Sequence, residues 1–352
     1  MENLASKYRP RNFGEVVAQD YVKEILLNQL TTETMKHAYL FCGGAGTGKT
    51  TTARIVANDI NKGKGSPIEI DAASNNGVES VREIINDSKF KSLDSEYKVY
   101  IIDEVHMLST GAFNALLKTL EEPPSGTVFI LCTTDPQKIP STILSRVQRF
   151  DFTRIENEKI VEQLQFIIEC ENEEAEVYGH GGAPSIEFEP EALDYIAKLA
   201  NGGMRDSITR LEKVLDYSID VTLDNVINAL GVPDFSMFYE MIEGIAFLEP
   251  AKCLKQINHF HMSGKDLKLT MRSFTDFLLE ICKYYITQSP ENVNLPLPVI
   301  EQLGELIEKI PYTMLLWMLE SMNEMNSAIK WESNCKPIIE AKFILMARDE
   351  ND

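Results

Sequence analysis

A glycine-rich run at positions 43–50, GGAGTGKT, has the spacing GxxxxGK[ST] that is typical of a phosphate-binding loop. Glycines let backbone N–H groups turn toward phosphate oxygens, and a helix that starts there adds the positive end of its dipole. Lys49 is expected to contact the β- and γ-phosphates, and Thr50 offers a hydroxyl ligand to Mg²⁺. The residues predicted to contact phosphate are Gly43, Gly44, Ala45, Gly46, Thr47, Gly48, Lys49, Thr50 and Thr51.

A second run, VYIIDE at 99–104, ends an apolar segment with two carboxylates. A strand of this kind places Asp103 at the carboxyl edge of a parallel sheet, where such sheets bind ligands. Asp103 is predicted to hold Mg²⁺ through its water shell, and Glu104 to polarise a water for attack on the γ-phosphate. An acidic pair after a strand is by itself often only a solvated strand end. Beside a phosphate loop, the pair predicts nucleotide hydrolysis.

These residues need an α/β domain to position them, and the first 150 residues have its pattern. Short apolar, β-branched runs alternate with helical stretches, as expected for a parallel sheet covered by helices on both faces. The predicted strands are 38–42, 67–73, 98–103, 127–134 and 149–152. From about residue 155 the strand patterns largely stop, and the rest of the chain is predicted to be helical. One of these helices is predicted over 190–200, and another starts at Met204.

The net charge of −20 is unevenly distributed along the 352 residues. Residues 1–153 carry 17 Lys and Arg against 19 Asp and Glu, whereas residues 154–352 carry 17 against 35. Any contact with a polyanion is therefore expected in the first part of the chain. The six scattered cysteines include no CxxC pair, which argues against a zinc ribbon or a disulfide framework and fits a reducing compartment.

The sequence also bears on membranes and on the role of two cysteines. No stretch reaches the roughly 18 apolar residues of a membrane span, and the polar start lacks the pattern of a signal peptide. We therefore expect no membrane contact and a cytoplasmic location. Cys42 and Cys132 lie in apolar strand-like runs and are expected to be small buried hydrophobes.

Beyond these motifs, a longer run at 98–146 resembles the gamma/tau ATPase subunit family of the bacterial DNA polymerase III clamp loader. The matching segments continue at 4–20, 37–54, 68–76 and, more loosely, 201–207. The resemblance implies an AAA+ protein with α/β and all-α parts that binds ATP with Mg²⁺. The domains that it implies are an AAA+ nucleotide-binding domain over 1–155, a three-helix lid over 156–220 and a helical collar for ring assembly over 221–352.

The resemblance also implies roles for residues outside the two motifs. Thr134 corresponds to a sensor of the γ-phosphate, Arg205 to an arginine that contacts nucleotide from the lid, and Arg146 to an arginine finger for a neighbouring subunit's ATP. The segment that covers the adenine corresponds to Tyr8, Arg9, Pro10, Val16 and Val17. Without the resemblance, Thr134 would be interpreted as an ordinary strand residue and Arg146 as a surface cation.

The chain departs from the family pattern in several places. Many members carry a four-cysteine zinc module where this chain has only the turn 61–66, so we predict no zinc site. The finger motif, usually Ser-Arg-Cys, is Ser145-Arg146-Val147 here. The sequence ends after the predicted collar, so we expect a short form without the extension of tau-type members. A bacterial variant and a virus-encoded one, in the cytoplasm of an infected host, both fit.

The function that the resemblance implies is that of an ATP-hydrolysing subunit that opens a sliding clamp and loads it on primer–template DNA. Its partners would be other clamp-loader subunits, the clamp and the DNA backbone, contacted without reading sequence. The candidate DNA segments are 74–82 and 109–114, whose only basic residue is Arg82. We therefore expect binding that is weaker and less salt-dependent than in a strongly basic clamp loader. Two alternatives stay open: another ring-forming AAA+ DNA motor, and a structural clamp-loader subunit that does not hydrolyse ATP.

Overall fold

The computed structural model describes residues 3–92, 94–178, 185–231 and 235–348. Contacts between residues group the chain into two compact units, one made of 1–183 and 200–212 and the other of 184–199 and 213–352. The predicted lid over 156–220 contributes residues to both units. The division into three domains therefore stays a prediction.

The first unit is built on a five-stranded sheet in which all neighbouring strands are parallel. The strand order across the sheet is β2-β3-β4-β1-β5. The strands are β1 (Ala38–Gly43), β2 (Ile68–Asp71), β3 (Lys98–Asp103), β4 (Thr127–Thr133) and β5 (Gln148–Phe152). All five predicted strands are confirmed, because continuous apolar runs are typical of strands that helices cover on both faces. The AAA+ fold class is confirmed with them.

Two helices precede the first strand, four alternate with the strands, and three follow the last strand. They are α1 (Leu4–Lys7), α2 (Asp20–Thr31), α3 (Lys49–Ile60), α4 (Val78–Ser88), α5 (Thr110–Glu121), α6 (Ser141–Leu144), α7 (Asn157–Tyr178), α8 (Pro190–Ala200) and α9 (Met204–Tyr217). Short 3₁₀ turns lie at Phe13–Glu15, Val105–Met107 and Pro136–Lys138. The helices predicted over 190–200 and from Met204 onward are confirmed.

The core of the first unit lies on both faces of the sheet. On one face Phe41 and Cys132 pack with Val56 of α3, and on the other Cys42 packs in a cluster that includes Phe113 of α5. The two cysteines are at most 1% exposed, so their predicted role as buried hydrophobes is confirmed. Burial also raises the pKa of the Cys42 thiol to about 11, which keeps it neutral.

The second unit is helical apart from a single bridge between Phe188 and Val221 in its described residues. Its helices after residue 221 are α10 (Leu223–Leu230), α11 (Phe235–Ala246), α12 (Pro250–Met262), α13 (Leu267–Thr287), α14 (Leu297–Lys309), α15 (Tyr312–Ile329) and α16 (Lys336–Met346). Helix α11 packs on α12 and α13 on α15, while α16 contacts both α12 and α15. The ring of Phe238 meets those of Phe260 and Phe274 with centroids 6.1 and 5.2 Å apart, which ties three helices together. No described helix has both the length and the apolar character needed to cross a membrane.

Candidate functional site

A cavity of about 470 Å³ in the first unit joins the phosphate loop to the N-terminal segment and to several others. The loop and the start of α3 contribute Gly46, Thr47, Gly48, Lys49, Thr50 and Thr51. The N-terminal segment contributes Ala5, Tyr8, Arg9, Pro10, Glu15, Val16 and Val17. The remaining lining residues are Arg54, Glu69, Ile70, Asp71, Ile101, Asp103, Ile155, Gln163, Met204, Arg205 and Ile208. All of the residues predicted to cover the adenine therefore lie at the same cavity as the phosphate loop.

The phosphate loop has backbone conformations that favour glycine. Gly46 and Gly48 have φ values of +70° and +98°, in the left-handed region. A Cβ on Gly46 would also lie 3.1 Å from the Cα of Gly203. The N–H of Met204 donates to the carbonyl of Gly46 at 3.0 Å, so the start of α9 is held against the loop. The neighbouring Arg205 lines the cavity, and its contact with nucleotide stays a prediction.

Lys49 is only 6% exposed and makes its hydrogen bonds to uncharged groups. Its Nζ donates to the carbonyl oxygens of Gly43 and Gly44 at 2.9 and 2.7 Å. Burial lowers the pKa of Lys49, because the charged form loses its hydration. Gly43, Gly44 and Ala45 do not line the cavity, and the first two act here through these carbonyls. Lys49 is thus a buried cation that donates no hydrogen bond to a carboxylate, and such a group is suited to bind an anionic ligand.

Thr50 and Asp103 form the oxygen-rich wall of the cavity. The hydroxyl of Thr50 donates to Oδ2 of Asp103 at 2.8 Å. The other oxygen, Oδ1, accepts from the N–H of Glu104 at 2.9 Å, which fixes the carboxylate at the end of β3. A hydroxyl and a carboxylate are the hard oxygen donors that Mg²⁺ prefers, so the pair fits the predicted ion.

Glu104 follows the strand with a φ of 47° and does not line the cavity. Its Oε2 accepts hydrogen bonds from the hydroxyl and the N–H of Thr134 at 2.8 and 3.3 Å. The Nδ1 atom of His106 lies 3.2 Å from the same oxygen. Thr134, which was predicted to contact the γ-phosphate, therefore contacts the predicted catalytic carboxylate and does not line the cavity either.

The segment that was predicted to cover the adenine is tied to helix α7. The hydroxyl of Tyr8 donates to Oε1 of Glu171 at 2.7 Å, and Lys7 forms ion pairs with Glu171 and Glu174. Burial, together with the carboxylate of Glu171, raises the pKa of Tyr8. The Tyr8 hydroxyl is therefore held neutral at the cavity wall, which suits packing against a flat base.

Arg146 lies away from this cavity, in an open cleft lined also by Glu121, Lys36 and His37. Its Nε donates to Oε1 of Glu121 at 2.8 Å, and an NH group donates to the carbonyl of Thr142 at 2.6 Å. The sequence predicts that Arg146 projects from the domain edge and not into its own nucleotide pocket. Its position in the cleft agrees with that expectation, while its role in another subunit stays a prediction.

The two candidate DNA segments lie side by side in the structure. The N–H of Ser109 donates to the carbonyl of Asn76 at 3.1 Å, and the hydroxyl of Ser109 caps α5 by accepting from the N–H of Ala112. Arg82 is engaged with Glu79 at 3.1 Å, although both side chains are largely exposed. The starts of α4 and α5 are therefore neighbours on one surface of the unit.

Several residues at the site have no signal in the sequence. Gln19 is buried and left-handed, and its side chain donates to the carbonyls of Thr47 and Thr153 at 3.3 and 2.8 Å. Arg54 and Glu69 form an ion pair at 2.6 Å on the cavity wall. No spacing in the sequence indicates these contacts, because each joins segments that only the folded sheet brings together.

Proteins similar to this chain are found among replication proteins. The chain is 39% identical over 300 residues to the DNA polymerase III subunit gamma of Buchnera aphidicola subsp. Schizaphis graminum, and the match covers 79% of both chains. The chain belongs to the DNA polymerase III gamma/tau family. The family model described as "DNA polymerase III, delta subunit" also matches residues 67–156 of this gamma/tau chain.

Other gamma/tau relatives are longer than this chain. The match to DNA polymerase III subunit tau of Bacillus subtilis (strain 168) is 36% identical and covers 96% of this chain but 62% of that protein. The match to the tau subunit of Escherichia coli (strain K12) is 34% identical and covers 88% of this chain and 50% of that protein. The chain thus spans about half to six tenths of the length of these tau relatives.

Among solved structures, a single-substitution variant of RuvB from Thermotoga maritima is similar with a TM-score of 0.50 at 20% identity. The similarity covers 68% of this chain and 79% of that one, and concerns the fold alone. Within the described residues of this gamma/tau chain, no group of three or more His, Cys, Asp or Glu is arranged to hold a metal ion. The expected lack of a zinc site stays a prediction.

Proposed function

We propose that this chain is an ATP-hydrolysing motor subunit of a sliding-clamp loader. One observation supports this function above all: Lys49, the Thr50–Asp103 pair and Arg205 line a single cavity. An enzyme of this kind needs a cation, a metal-binding oxygen pair and a second cation around the phosphates. Family membership supports the same conclusion.

The residues of the cavity divide the chemistry among them. Lys49 exchanges its contacts with the loop carbonyls for contacts with the β- and γ-phosphates, and its burial strengthens that attraction. Thr50 and Asp103 would hold Mg²⁺, which neutralises phosphate charge when it is bound. Glu104 orients and polarises the attacking water. Arg205 reports the nucleotide through the start of α9, and Tyr8, Arg9, Pro10, Val16 and Val17 cover the base.

The proposed partners are other clamp-loader subunits, the sliding clamp and primer–template DNA. The adjacent starts of α4 and α5, within 74–82 and 109–114, would face the DNA backbone with their N–H groups. Because Arg82 is the only cation there, this chain would add little to the salt dependence of DNA binding. The division into nucleotide-binding domain, lid and ring-forming collar, and a cytoplasmic location, belong to the same proposal.

Two other functions make different predictions. A structural subunit that does not hydrolyse ATP would tolerate the loss of Glu104, yet Lys49, Thr50 and Asp103 retain the chemical types that hydrolysis requires. Another ring-forming AAA+ DNA motor would hydrolyse ATP without a sliding clamp. The fold-level similarity to RuvB does not distinguish these functions, because the same fold supports many activities.

The test is a turnover assay on the full chain together with the subunits that co-purify with it from the native source. We expect ATP turnover that rises when the clamp and primer–template DNA are added together, and loss of that rise in a Lys49→Ala complex. The matched control is Lys62→Ala, which removes an exposed lysine after α3. A rise that needs DNA but is unaffected by the clamp would favour another DNA motor, and no turnover would favour the structural subunit.

A further inference from the structure

Helix α7 holds part of the cavity wall through one carboxylate. Oε1 of Glu171 accepts from the hydroxyl of Tyr8 and from Nζ of Lys7, each at 2.7 Å. The same Nζ lies 5.3 Å from the centre of the Tyr8 ring, within the range of a cation–π contact. The side chains of Lys7 and Glu171 are 29% and 25% exposed, so solvent screens their attraction less than at an open surface. Glu171 therefore holds both the hydroxyl of Tyr8 and the cation beside its ring.

Glu174, almost one turn further along α7, provides a comparison within the same helix. Its Oε2 accepts from Nζ of Lys7 at 2.6 Å, and its side chain is 53% exposed. In the part of the chain that the structure describes, Glu174 contacts Lys7 but not Tyr8. The two glutamates thus share a helix, a charge and a lysine partner, and differ in that Glu171 alone of the two contacts the tyrosine.

Tyr8 lines the cavity, whereas its partner Glu171 does not. Because the tyrosine hydroxyl is fixed by Glu171, the ring meets a ligand in a set orientation. A side chain that is already fixed loses less conformational freedom when a ligand packs against it, and affinity is higher as a result. The phosphate loop is held separately, since Lys49 donates to carbonyl oxygens of the loop itself. The two ends of the cavity therefore depend on different contacts.

We propose that Glu171 is a positioning residue that orients Tyr8 against the base of a bound nucleotide. The inference rests on the proposed function, in which Tyr8 belongs to the segment that covers the base. Glu171 acts through the tyrosine and touches no ligand, because it lies outside the cavity. It therefore determines how much the base adds to nucleotide affinity, and it leaves the contribution of the phosphates unchanged.

The first experiment compares a ligand that has a base with one that lacks it. The full chain is titrated with ATP and with inorganic triphosphate, both with Mg²⁺. In Glu171→Gln a neutral acceptor replaces the carboxylate, so ATP affinity should fall about fivefold, while triphosphate affinity should change less than twofold. Glu174→Gln is the matched control and should change either affinity less than twofold. Equal losses for both ligands, or equal ATP affinities in the two variants, would overturn the proposal.

The second experiment tests whether Glu171 acts through the tyrosine hydroxyl. Tyr8→Phe keeps the ring but removes the hydroxyl, and ATP affinity should again fall about fivefold with little change for triphosphate. The double variant Tyr8→Phe, Glu171→Gln should bind ATP about as well as either single variant, since both changes break the same contact. Losses that add in the double variant would overturn the proposal, because Glu171 would then act by another route.

A third variant, Lys49→Ala, separates this inference from the proposed function. It should weaken the binding of both ATP and inorganic triphosphate, because both carry the phosphates that Lys49 contacts. If Lys49→Ala binds both ligands as the wild-type chain does, the proposed nucleotide site is wrong. If Lys49→Ala behaves as expected and Glu171→Gln binds ATP normally, only the role of Glu171 is wrong. Triphosphate binding by Glu171→Gln also shows that its phosphate loop is folded.

Discussion

Two cations in the first unit differ in how their charge is compensated. Lys49 is 6% exposed and bonds to two backbone carbonyls, whereas the side chain of Arg146 is 32% exposed and forms an ion pair with Glu121. A buried charge whose hydrogen bonds go only to carbonyl groups attracts an anion strongly, because water does not screen it. An arginine paired at the surface can exchange its partner at little cost. The first arrangement suits a resident phosphate site, and the second suits a group offered to another molecule.

The comparison explains why we expect the isolated chain to bind ATP well but to hydrolyse it slowly. Its walls supply Lys49, the Thr50–Asp103 pair and Arg205, whereas Glu104 contacts Thr134 and does not line the cavity, and Arg146 lies in a separate cleft. We therefore expect this chain alone to bind ATP, and fast hydrolysis to require a neighbouring subunit. Changes at either cation, or at the groups around it, test that division.

Arg146→Ala should abolish the rise in turnover that accompanies assembly with partners, clamp and DNA. An arginine supplied from a neighbour stabilises charge on the transferring phosphoryl group and is worth about 10³–10⁵ in rate. Nucleotide affinity of the isolated chain should stay nearly unchanged, since Arg146 does not line the cavity. The measurement is the rate of phosphate release by the assembled complex. Nucleotide binding to the isolated chain is the control.

Mixing two variants shows whether Arg146 acts across subunits. In a ring known to hold adjacent copies, an Arg146→Ala chain beside a Lys49→Ala chain has one complete site, with Arg146 supplied by the second chain. Turnover should reappear in the mixture and in neither variant alone. Equal assembly-dependent turnover in wild-type and Arg146→Ala rings would show that the comparison between the two cations is wrong.

Glu104→Gln should lower turnover by about 10²–10⁴ and leave ATP bound, because it removes the group that polarises water but keeps the phosphate loop. Turnover and equilibrium binding measured on the same preparation separate the two effects. A variant that loses affinity as much as rate would place Glu104 in binding and not in catalysis.

Lys49→Ala should weaken ATP binding about 10- to 100-fold, since the contacts that it loses are charge-assisted hydrogen bonds of about 1.5–3 kcal/mol. Turnover should fall with it. Isothermal titration against the nucleotide makes the measurement, and Lys62→Ala serves as the control for loss of a charge alone. Unchanged affinity would mean that the phosphates lie elsewhere.

Glu121→Gln should change stability and turnover only slightly, whereas Lys49→Ala should have a large effect on ATP binding. Partly exposed ion pairs contribute about 0.2–1 kcal/mol, so the free energy of unfolding in urea should fall by no more than that. Assembly-dependent turnover should change by no more than about fivefold, the rate equivalent of the same energy. A loss as large as that in Arg146→Ala would show that Glu121 positions the arginine in the assembled site.

Metal analysis of the purified chain should find no stoichiometric zinc. The described residues contain no suitable cluster of ligands, and the cysteines are far apart in the sequence. One zinc per chain would contradict this prediction and would imply a site built from residues that are distant in the sequence.

Much of the fold was predictable from local patterns, because parallel strands buried on both faces are continuous apolar runs. β1, β3 and β4 were found in this way, and GGAGTGKT predicted a helix over the residues that follow it, where α3 begins two residues earlier, at Lys49. Where single residues lie at a strand end, the prediction was less sharp: Thr134 was assigned to the end of a strand that finishes at Thr133. The apolar pattern cannot distinguish the last paired residue from the next.

The sheet, the phosphate loop and the Asp103–Glu104 pair were predictable from the sequence alone, since these depend on spacing within short segments. The folded chain was needed to show that Gln19 contacts the phosphate loop, that Arg54 pairs with Glu69, and that Thr134 donates to Glu104. The contacts of Gln19 with Thr153 and of Glu104 with Thr134 join residues 134 and 30 positions apart. Their geometry follows from strand order and helix packing, which no local pattern of residue types encodes.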